Sequence, residues 1–255
     1  MRAFGAGFRL QLRSIGAYPD TVIPFFTAPV FAIIFLLIFS HAGREDLHAY
    51  AVVAPVFIAL WWLALFQAGW VISIDRWNEV LELLVAAPGG FGAAVLGRIA
   101  AVTIAGVVSF AEVWLVARLL FGTSVSLHHP WIFAAAVAAT LAAMAGTAVA
   151  FAALFVLTRN AATLGNSASF PFYVLGGILV PVSFLPEWIQ PLSRLVFLSW
   201  SADLLRASLL PVPVERPVFG VAMILLLGAA GFVGGHLLIA RVLARVRATG
   251  DLARL

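Results

Sequence analysis

The chain contains neither cysteine nor lysine, and it has few charged residues of any kind. Of its 255 residues, 10% are charged, and all 15 basic residues are arginine. The absence of cysteine excludes disulfide frameworks, thiolate metal sites and cysteine nucleophiles. The absence of lysine excludes a phosphate-binding loop that ends in Gly-Lys-Ser/Thr and a Schiff-base lysine. If ATP drives this protein, another subunit must therefore bind the nucleotide.

Apolar residues make up 64% of the chain, and its mean hydropathy is +1.09. Soluble globular proteins are about 45 to 50% apolar. The composition therefore predicts an all-α membrane protein, with a single membrane domain over residues 1–255 and no room for a large soluble domain. Six apolar runs are long enough to cross a bilayer as helices of about 20 residues, with expected limits Thr21–Phe39, Tyr50–Ile74, Arg98–Phe121, Trp131–Leu157, Leu164–Val182 and Val218–Val242.

The N-terminal segment, residues 1–19, is predicted to form an amphipathic helix at the membrane interface. A signal peptide is excluded because Arg9 and Arg13 interrupt the place of its apolar core. Apolar side chains recur at helical spacing on one face, with the arginines elsewhere; the apolar positions are Phe4, Phe8, Leu12 and Ile15.

The distribution of arginine predicts the topology. With a cytoplasmic N-terminus, ten arginines lie on the inner side and five on the outer side. Because basic residues are enriched in cytoplasmic loops, we expect both termini in the cytoplasm. The arginines form no stripe, so the net charge of +4 does not indicate a nucleic-acid partner.

The segment of residues 184–217 is too interrupted by proline and charge to span the membrane. It nevertheless carries too much apolar surface for a solvated loop, with residues such as Trp188, Leu192 and Trp200. Short re-entrant helices in the outer leaflet reconcile these two properties, because non-helical backbone at that depth must be covered by protein or face a wet cavity. The segment is thus the candidate for an extracellular gate.

Residues 75–90 are predicted to form a short amphipathic helix between the second and third spans. Asp75, Glu79 and Glu82 share its polar face, and Pro88 follows its last turn. One interpretation is a connector on the lipid surface, but such helices usually carry basic residues. Docking to a protein partner is the alternative, and the acidic face favours it.

Two runs resemble the ABC-2 type permeases, the membrane subunits of ATP-driven exporters. DRWNEVLELL, from Asp75 to Leu84 and followed by Ala87-Pro88, is similar to the family's E-R-x-x-G-T-L-E-x-L-L-x-x-P signature after the second span. The run from Gly176 to Leu209 resembles the block between the fifth and sixth spans: G-x-x-x-P, L-P-x-W, an apolar helix and a terminal L-R. The resemblance covers essentially the whole chain, and the nearest branch is that of drug-resistance permeases similar to daunorubicin exporters.

The resemblance implies a role for both runs. Residues 75–90 correspond to the cytoplasmic coupling helix that contacts the ATPase subunit, through Asp75, Arg76, Glu79, Glu82, Leu83 and Pro88. Glu79 and Val80 stand where the family has Gly-Thr, which makes the partner's identity the open question. The second run supplies an extracellular gate, with Pro181, Leu185, Pro186, Trp188 and Arg206. The family also implies a location in the inner membrane of a bacterial cell, a second permease, identical or paralogous, and ATP with Mg²⁺ on two ATPase subunits.

Other polar residues leave alternatives open. Glu112 lies inside the third span, where it lines a substrate route or carries a proton, or else pairs with an arginine or lies near the outer interface. His128 and His129 are adjacent with no third ligand nearby in sequence, so we expect no metal site. Ala142, Gly146, Ala150, Gly231 and Gly235 have the spacing of close helix packing, which alanine-rich composition also produces by chance.

The function expected from these features is export of an amphiphilic drug-like or lipid-like substrate, with no catalytic residue and no cofactor on this chain. Export of a polysaccharide or glycolipid is the alternative within the family. An intramembrane enzyme would need a convergent catalytic set, and the spans contain no H-E-x-x-H pair. A secondary transporter would show internal repeats with broken helices, and none is visible.

Overall fold

The computed structural model describes residues 2–15, 19–44, 47–68, 91–122, 126–158 and 161–249. Within these ranges the regular structure is helical, without a β-strand. We number the α-helices in chain order: α1 Arg2–Ser14, α2 Pro19–His41, α3 His48–Trp62, α4 Phe91–Ala105, α5 Val108–Phe121, α6 Pro130–Leu157, α7 Ala161–Leu175, α8 Gln190–Ser193, α9 Phe197–Leu209 and α10 Pro217–Thr249.

Four stretches of the described residues are long and apolar enough to cross a membrane: His48–Phe66, Gly92–Phe121, Pro130–Phe155 and Pro217–Arg241. The prediction of an all-α membrane protein with several spans is therefore confirmed. The count of six stays a prediction. The helix α2 has 23 residues, of which Phe25–His41 form an uninterrupted described apolar stretch, and the 15 residues of α7 reach about 22 Å, against a hydrocarbon core of about 30 Å.

The third predicted span is built from two helices in succession. It starts at Phe91 rather than at Arg98, and α4 gives way to α5 at Gly106 and Val107. Gly106 lies against α3, where an added Cβ would be 2.5 Å from Cδ2 of Leu60. Only glycine fits at this contact without a shift of its neighbour. After Trp62, α3 continues as a π-helical turn over Leu63–Ala68.

The longest helices, α6 and α10, run in parallel and form the most extensive helix pair among the described elements. Small residues let their backbones meet: Gly146 faces Gly228, and an added Cβ at Gly235 would lie 2.5 Å from the backbone nitrogen of Ala150. This is the close approach that small residues at four-residue spacing permit. Ala142 is exposed, and the adjacent Ala143 contacts Gly228 instead.

The amphipathic helix α1 packs on α4. Gly7 meets the carbonyl group of Ala94, and Gly97 meets that of Phe4, so glycine on each helix admits the backbone of the other. Beside this contact, Nε of Arg98 donates a hydrogen bond to Oε1 of Gln11 at 3.1 Å. The packed face therefore lies next to the predicted apolar stripe, and Phe4 and Leu12 of that stripe stay exposed.

An aromatic cluster joins α3, α6 and α7. Trp61 is 1% exposed; its ring stacks on Phe172 with 4.6 Å between centroids and meets Phe151 edge-on. Its Nε1 donates a hydrogen bond to Oγ of Ser169 at 3.2 Å, so the buried indole nitrogen is satisfied. The cluster fixes α7 against the centre of the bundle and thereby positions the turn that follows α7.

Candidate functional site

The end of α7 is fixed by a turn that contains two glycines. Gly177 adopts a left-handed backbone with φ of 64°. The amide of Ile178 donates to the carbonyl of Tyr173, and that of Gly177 to the carbonyl of Val174, both at 3.0 Å. This pair of bonds is a Schellman motif, which satisfies the last carbonyls of a helix and ends it. The expected fifth span, drawn to Val182, therefore stops at Leu175.

Arg206 of α9 contacts this turn. Its side chain is 4% exposed, and its Nη2 donates hydrogen bonds to the carbonyl oxygens of Gly177 at 2.6 Å and Ile178 at 3.2 Å. The guanidinium also lies over the ring of Tyr50 in α3, with Cζ 3.9 Å from the ring centroid. One side chain thus joins α9 to the end of α7 and to the start of α3.

Burial lowers the pKa of the Arg206 guanidinium, while the nearby Tyr50 and Asp203 act in the opposite direction. Arginine nevertheless stays protonated in proteins, so a positive charge is held inside the fold. Nε and Nη1 of Arg206 have no hydrogen-bond partner among the described residues. The two carbonyl oxygens and the face of Tyr50 therefore provide the contacts that offset desolvation of the charge.

The other predicted gate residues lie in a folded loop before α9. Pro181 precedes a 3-10 turn over Val182–Phe184, the carbonyl of Leu185 accepts a hydrogen bond from Nε2 of Gln190 at 2.9 Å, and the carbonyl of Pro186 accepts one from the amide of Ile189 at 2.8 Å. Each of these three residues thus takes part in a local turn. The side chain of Trp188, in the same loop, is 74% exposed.

The helix α9 is packed on its neighbours along most of its length. It contacts α3, α6 and α10, and ten of its 13 residues are buried. At its start, Arg194 forms an ion pair with Asp203 at 2.7 Å, and the carbonyl of Arg194 accepts a hydrogen bond from Nε1 of Trp200 at 2.9 Å. Within the segment predicted to be too apolar for a solvated loop, α9 is therefore a helix that packs on three others.

The two adjacent histidines hold the other end of α9. Nδ1 of His128 contacts the carbonyl oxygen of Leu209, and Nε2 of His129 contacts that of Val212, both at 3.0 Å. Because a carbonyl oxygen only accepts, these two ring nitrogens carry the protons. The backbone amide of His129 also donates to the carbonyl of Ser208 at 3.0 Å. The sequence showed the pair but gave no indication that its partners lie at the far end of α9.

Comparison with known proteins decides the family of this chain. The model of the ABC-2 type transporter family matches residues 6–210, which run from within α1 to the end of α9 and include every contact of Arg206 given above. The chain belongs to the ABC-2 type transporter family. It is thus a membrane permease of an ABC transporter, and permeases of this family normally work with ABC ATPase partners. No curated protein matches the chain at a significant level.

The residues predicted to couple the permease to its ATPase fall in residues 69–90, outside the described residues. Their role stays a prediction from the sequence. The described elements on either side are the π-helical turn Leu63–Ala68 and α4. The predicted coupling residues are Asp75, Arg76, Glu79, Glu82, Leu83 and Pro88.

Glu112 of the permease lies in α5 and is half-buried. No described residue donates a hydrogen bond to its Oε2, so the arginine partner considered from the sequence is not found at this atom within the described ranges. Glu112 also lines neither of two apolar clefts in the described structure. One of about 510 Å³ lies between α1, α4, α6 and α10, and one of about 230 Å³ lies between α3, α5, α6 and α9. Among the residues that the structure describes, histidine, aspartate and glutamate form no group of three that would hold a metal ion.

Proposed function

We propose that this permease is the membrane half of an ATP-driven exporter with six spans and both termini in the cytoplasm of a bacterial cell. The single observation that carries the proposal is the family match over residues 6–210. A separate ATPase subunit would bind ATP and Mg²⁺, because this chain has no lysine for a phosphate-binding loop. The functional unit would contain two permeases, identical or paralogous, and two ATPase subunits.

The coupling step is proposed to act through residues 75–90. ATP binding would close the ATPase dimer and press on this acidic helix, and the movement would enter the described structure through the two elements that flank it. The first of these, the π-helical turn Leu63–Ala68, contacts α4, α6 and α7. The contact with α7 supports a route towards the gate. The turn that follows α7 contains the carbonyl groups of Gly177 and Ile178, to which Arg206 donates hydrogen bonds.

The gate is proposed to be the segment from Pro181 to Leu209, on the outer side of the membrane. Its support is the packing of α9 on α3, α6 and α10 together with the buried contact of Arg206 to the end of α7. In the closed state these contacts seal the outer end of the path. Opening would separate α9 from the end of α7 and from Tyr50, so Arg206 is a positioning residue rather than a substrate ligand.

The proposed cargo is an amphiphilic drug-like or lipid-like molecule, as in the daunorubicin-like branch. The apolar composition of the spans supports this class, because a route with few fixed charges suits partly hydrophobic molecules. This step rests on analogy at the level of the fold. Glu112, with its unpartnered Oε2, is the residue on the described spans that we propose to face the substrate path.

Purification of the full-length permease from its native membranes in mild detergent tests the assembly. We expect an ABC ATPase subunit to co-purify, and ATP hydrolysis by the complex to rise when permease and ATPase are reconstituted together. A permease that transports on its own, without any ATPase, would contradict the proposal.

A further inference from the structure

The smaller apolar cleft is lined by buried residues and, in part, by exposed ones. It has a volume of about 230 Å³, and every residue that lines it is apolar. Phe110 and Phe133 form part of its wall and meet edge to face, with 5.6 Å between ring centroids. Trp114 and Leu127 also line it, and both remain exposed. The lining of the cleft is therefore suited to a hydrocarbon chain.

A positive charge lies over the ring of Trp114, one of the exposed residues that line the cleft. Arg118 follows Trp114 by one helical turn on α5, and its Cζ lies 5.3 Å from the centroid of the Trp114 ring. The side chain is exposed, and it has no ion pair with an acidic residue in the ranges that the structure describes. It lies in the last turn of α5, which ends at Gly122. An apolar cleft with a guanidinium that has no acidic partner beside its exposed tryptophan is complementary to an anionic amphiphile.

The wall of the cleft formed by Leu127 and Leu209 is held by a hydrogen bond from His128. Leu209 lines the cleft, and its carbonyl oxygen accepts a hydrogen bond from Nδ1 of His128 at 3.0 Å. Leu127, next to this histidine, lines the cleft as well. The loop before α6 and the end of α9 thus form one connected wall, so the slot does not have to be created by its ligand.

We propose that this cleft binds one acyl chain of an anionic phospholipid, with the phosphate paired to Arg118. The cleft is several times larger than the volume of about 30 Å³ that one water molecule occupies in the liquid. Its all-apolar lining gives water no partners, whereas it suits part of a hydrocarbon chain. A guanidinium binds a phosphate group through parallel hydrogen bonds. The occupant comes from the bilayer in which α5 and α6 lie, so the proposal requires the membrane position of this chain but neither ATP nor export.

Photo-crosslinking of the full-length permease in phosphatidylcholine vesicles tests the site. Two probes carry the same photoreactive acyl chain, one on phosphatidylglycerol and one on phosphatidylcholine. We expect the anionic probe to label the peptides that contain Val53 and Phe110 about fivefold more than the neutral probe. This ratio corresponds to about 1 kcal/mol, the upper end of what one exposed ion pair contributes.

Two variants test separately the charge of Arg118 and the volume of the cleft. Arg118→Gln should bring labelling by the two probes to the same level, and Ala111→Phe, which fills the slot from its wall, should lower labelling by both. Arg194→Gln is the control for surface charge, because Arg194 is also exposed and also lies over a tryptophan, Trp200, with Cζ at 4.9 Å from the ring centroid. Unlike Arg118, it is paired with an acidic residue, Asp203. Arg194→Gln should leave the labelling of the cleft peptides unchanged.

Three results would overturn the proposal. Equal labelling of the cleft by the two probes in the natural chain would remove the role of the phosphate. Labelling by a photoreactive free fatty acid but not by phosphatidylglycerol would show that the site takes a single-chain amphiphile. If Arg118→Gln and Arg194→Gln lowered the ratio of anionic to neutral labelling equally, the general surface charge and not this site would cause the preference for the anionic probe. None of these results bears on ATP-driven export, so failure here is distinct from failure of the proposed function.

Discussion

The guanidinium of Arg206 lies over the ring of Tyr50, with Cζ 3.9 Å from the ring centroid, although the two residues are far apart in the chain. The same guanidinium donates to the carbonyls of Gly177 and Ile178. A cation over an aromatic face gains about 2 kcal/mol when water is excluded. Three separate parts of the chain therefore meet at one buried charge, and the proposed gate depends on how firmly they are held.

Replacement of Tyr50 tests the aromatic half of this contact. Tyr50→Leu removes the ring beneath a buried cation and should lower the free energy of unfolding by about 1 to 2 kcal/mol. Tyr50→Phe keeps the ring and should retain most of the stability. Thermal unfolding of the purified permease in detergent measures the difference, and equal effects of the two variants would show that the stacking does not stabilise the fold.

Replacement of Arg206 tests the proposed gate. Arg206→Lys keeps the charge but has no planar fork to place over Tyr50 while reaching two carbonyls. We expect ATP-driven transport to fall about tenfold, corresponding to about 1.4 kcal/mol, while ATP hydrolysis continues, because the segment no longer opens and closes as one unit. The ratio of transported substrate to hydrolysed ATP is the measurement. Arg194→Lys, at an exposed arginine of the same segment, should keep the natural ratio; a parallel fall in hydrolysis and transport in Arg206→Lys would indicate a structural role alone.

Two neighbouring glycines of α10 test the contact between α6 and α10. Gly235→Ala places a Cβ 2.5 Å from the backbone nitrogen of Ala150, whereas Gly234 has no heavy atom within 4 Å of such a Cβ. We expect Gly235→Ala to destabilise the permease by about 1 to 3 kcal/mol, the usual cost of overpacking. Gly234→Ala should be neutral or slightly stabilising. The midpoints of thermal unfolding distinguish them, and a neutral Gly235→Ala would mean that the two helices are not in close contact.

Charge reversal in the predicted coupling helix tests the route to the ATPase. Glu82→Arg reverses the charge of its acidic face and should uncouple ATP hydrolysis from transport while the permease still inserts into the membrane. Transport and ATPase activity of the reconstituted complex provide the measurement, with Glu215→Arg as the control on an exposed glutamate just before α10. Normal transport in Glu82→Arg would argue against docking through this face.

Local patterns in the sequence were sufficient to predict the class of fold and several of its elements. Apolar runs predicted the four stretches of the described residues that are long and apolar enough to span a membrane. The interrupted composition of residues 184–217 predicted short helices, which the structure shows as α8 and α9. The spacing of Gly146, Ala150, Gly231 and Gly235 left close packing and chance composition open, and the structure shows close packing between α6 and α10. These features depend on helical periodicity and composition, which are local properties of the chain.

The contacts between distant segments were not predictable in the same way. Nothing near Arg206 in sequence indicates that its partners are Tyr50, Gly177 and Ile178, because hydropathy carries no information on which helices meet. The end of α7 was missed for a related reason: an apolar run continues past Leu175, and only the left-handed backbone of Gly177 ends the helix. Likewise, Ala142 and Ala143 are equivalent in composition, and only the rotation of α6 decides that Ala143 contacts Gly228.

If ATP opens a gate formed by α9, buried residues of α9 must become accessible when ATP is added. Because the chain contains no cysteine, labelling of single introduced thiols is the most direct test. Ala202 of α9 is 0% exposed, so Ala202→Cys should resist a membrane-impermeant maleimide in the resting complex of permease and ATPase. With ATP and Mg²⁺ it should react rapidly, because the segment separates from its neighbours. Trp188→Cys should react in both conditions and Ala59→Cys, buried in α3, in neither. Labelling of Ala202→Cys that is unchanged by ATP would contradict gating by α9.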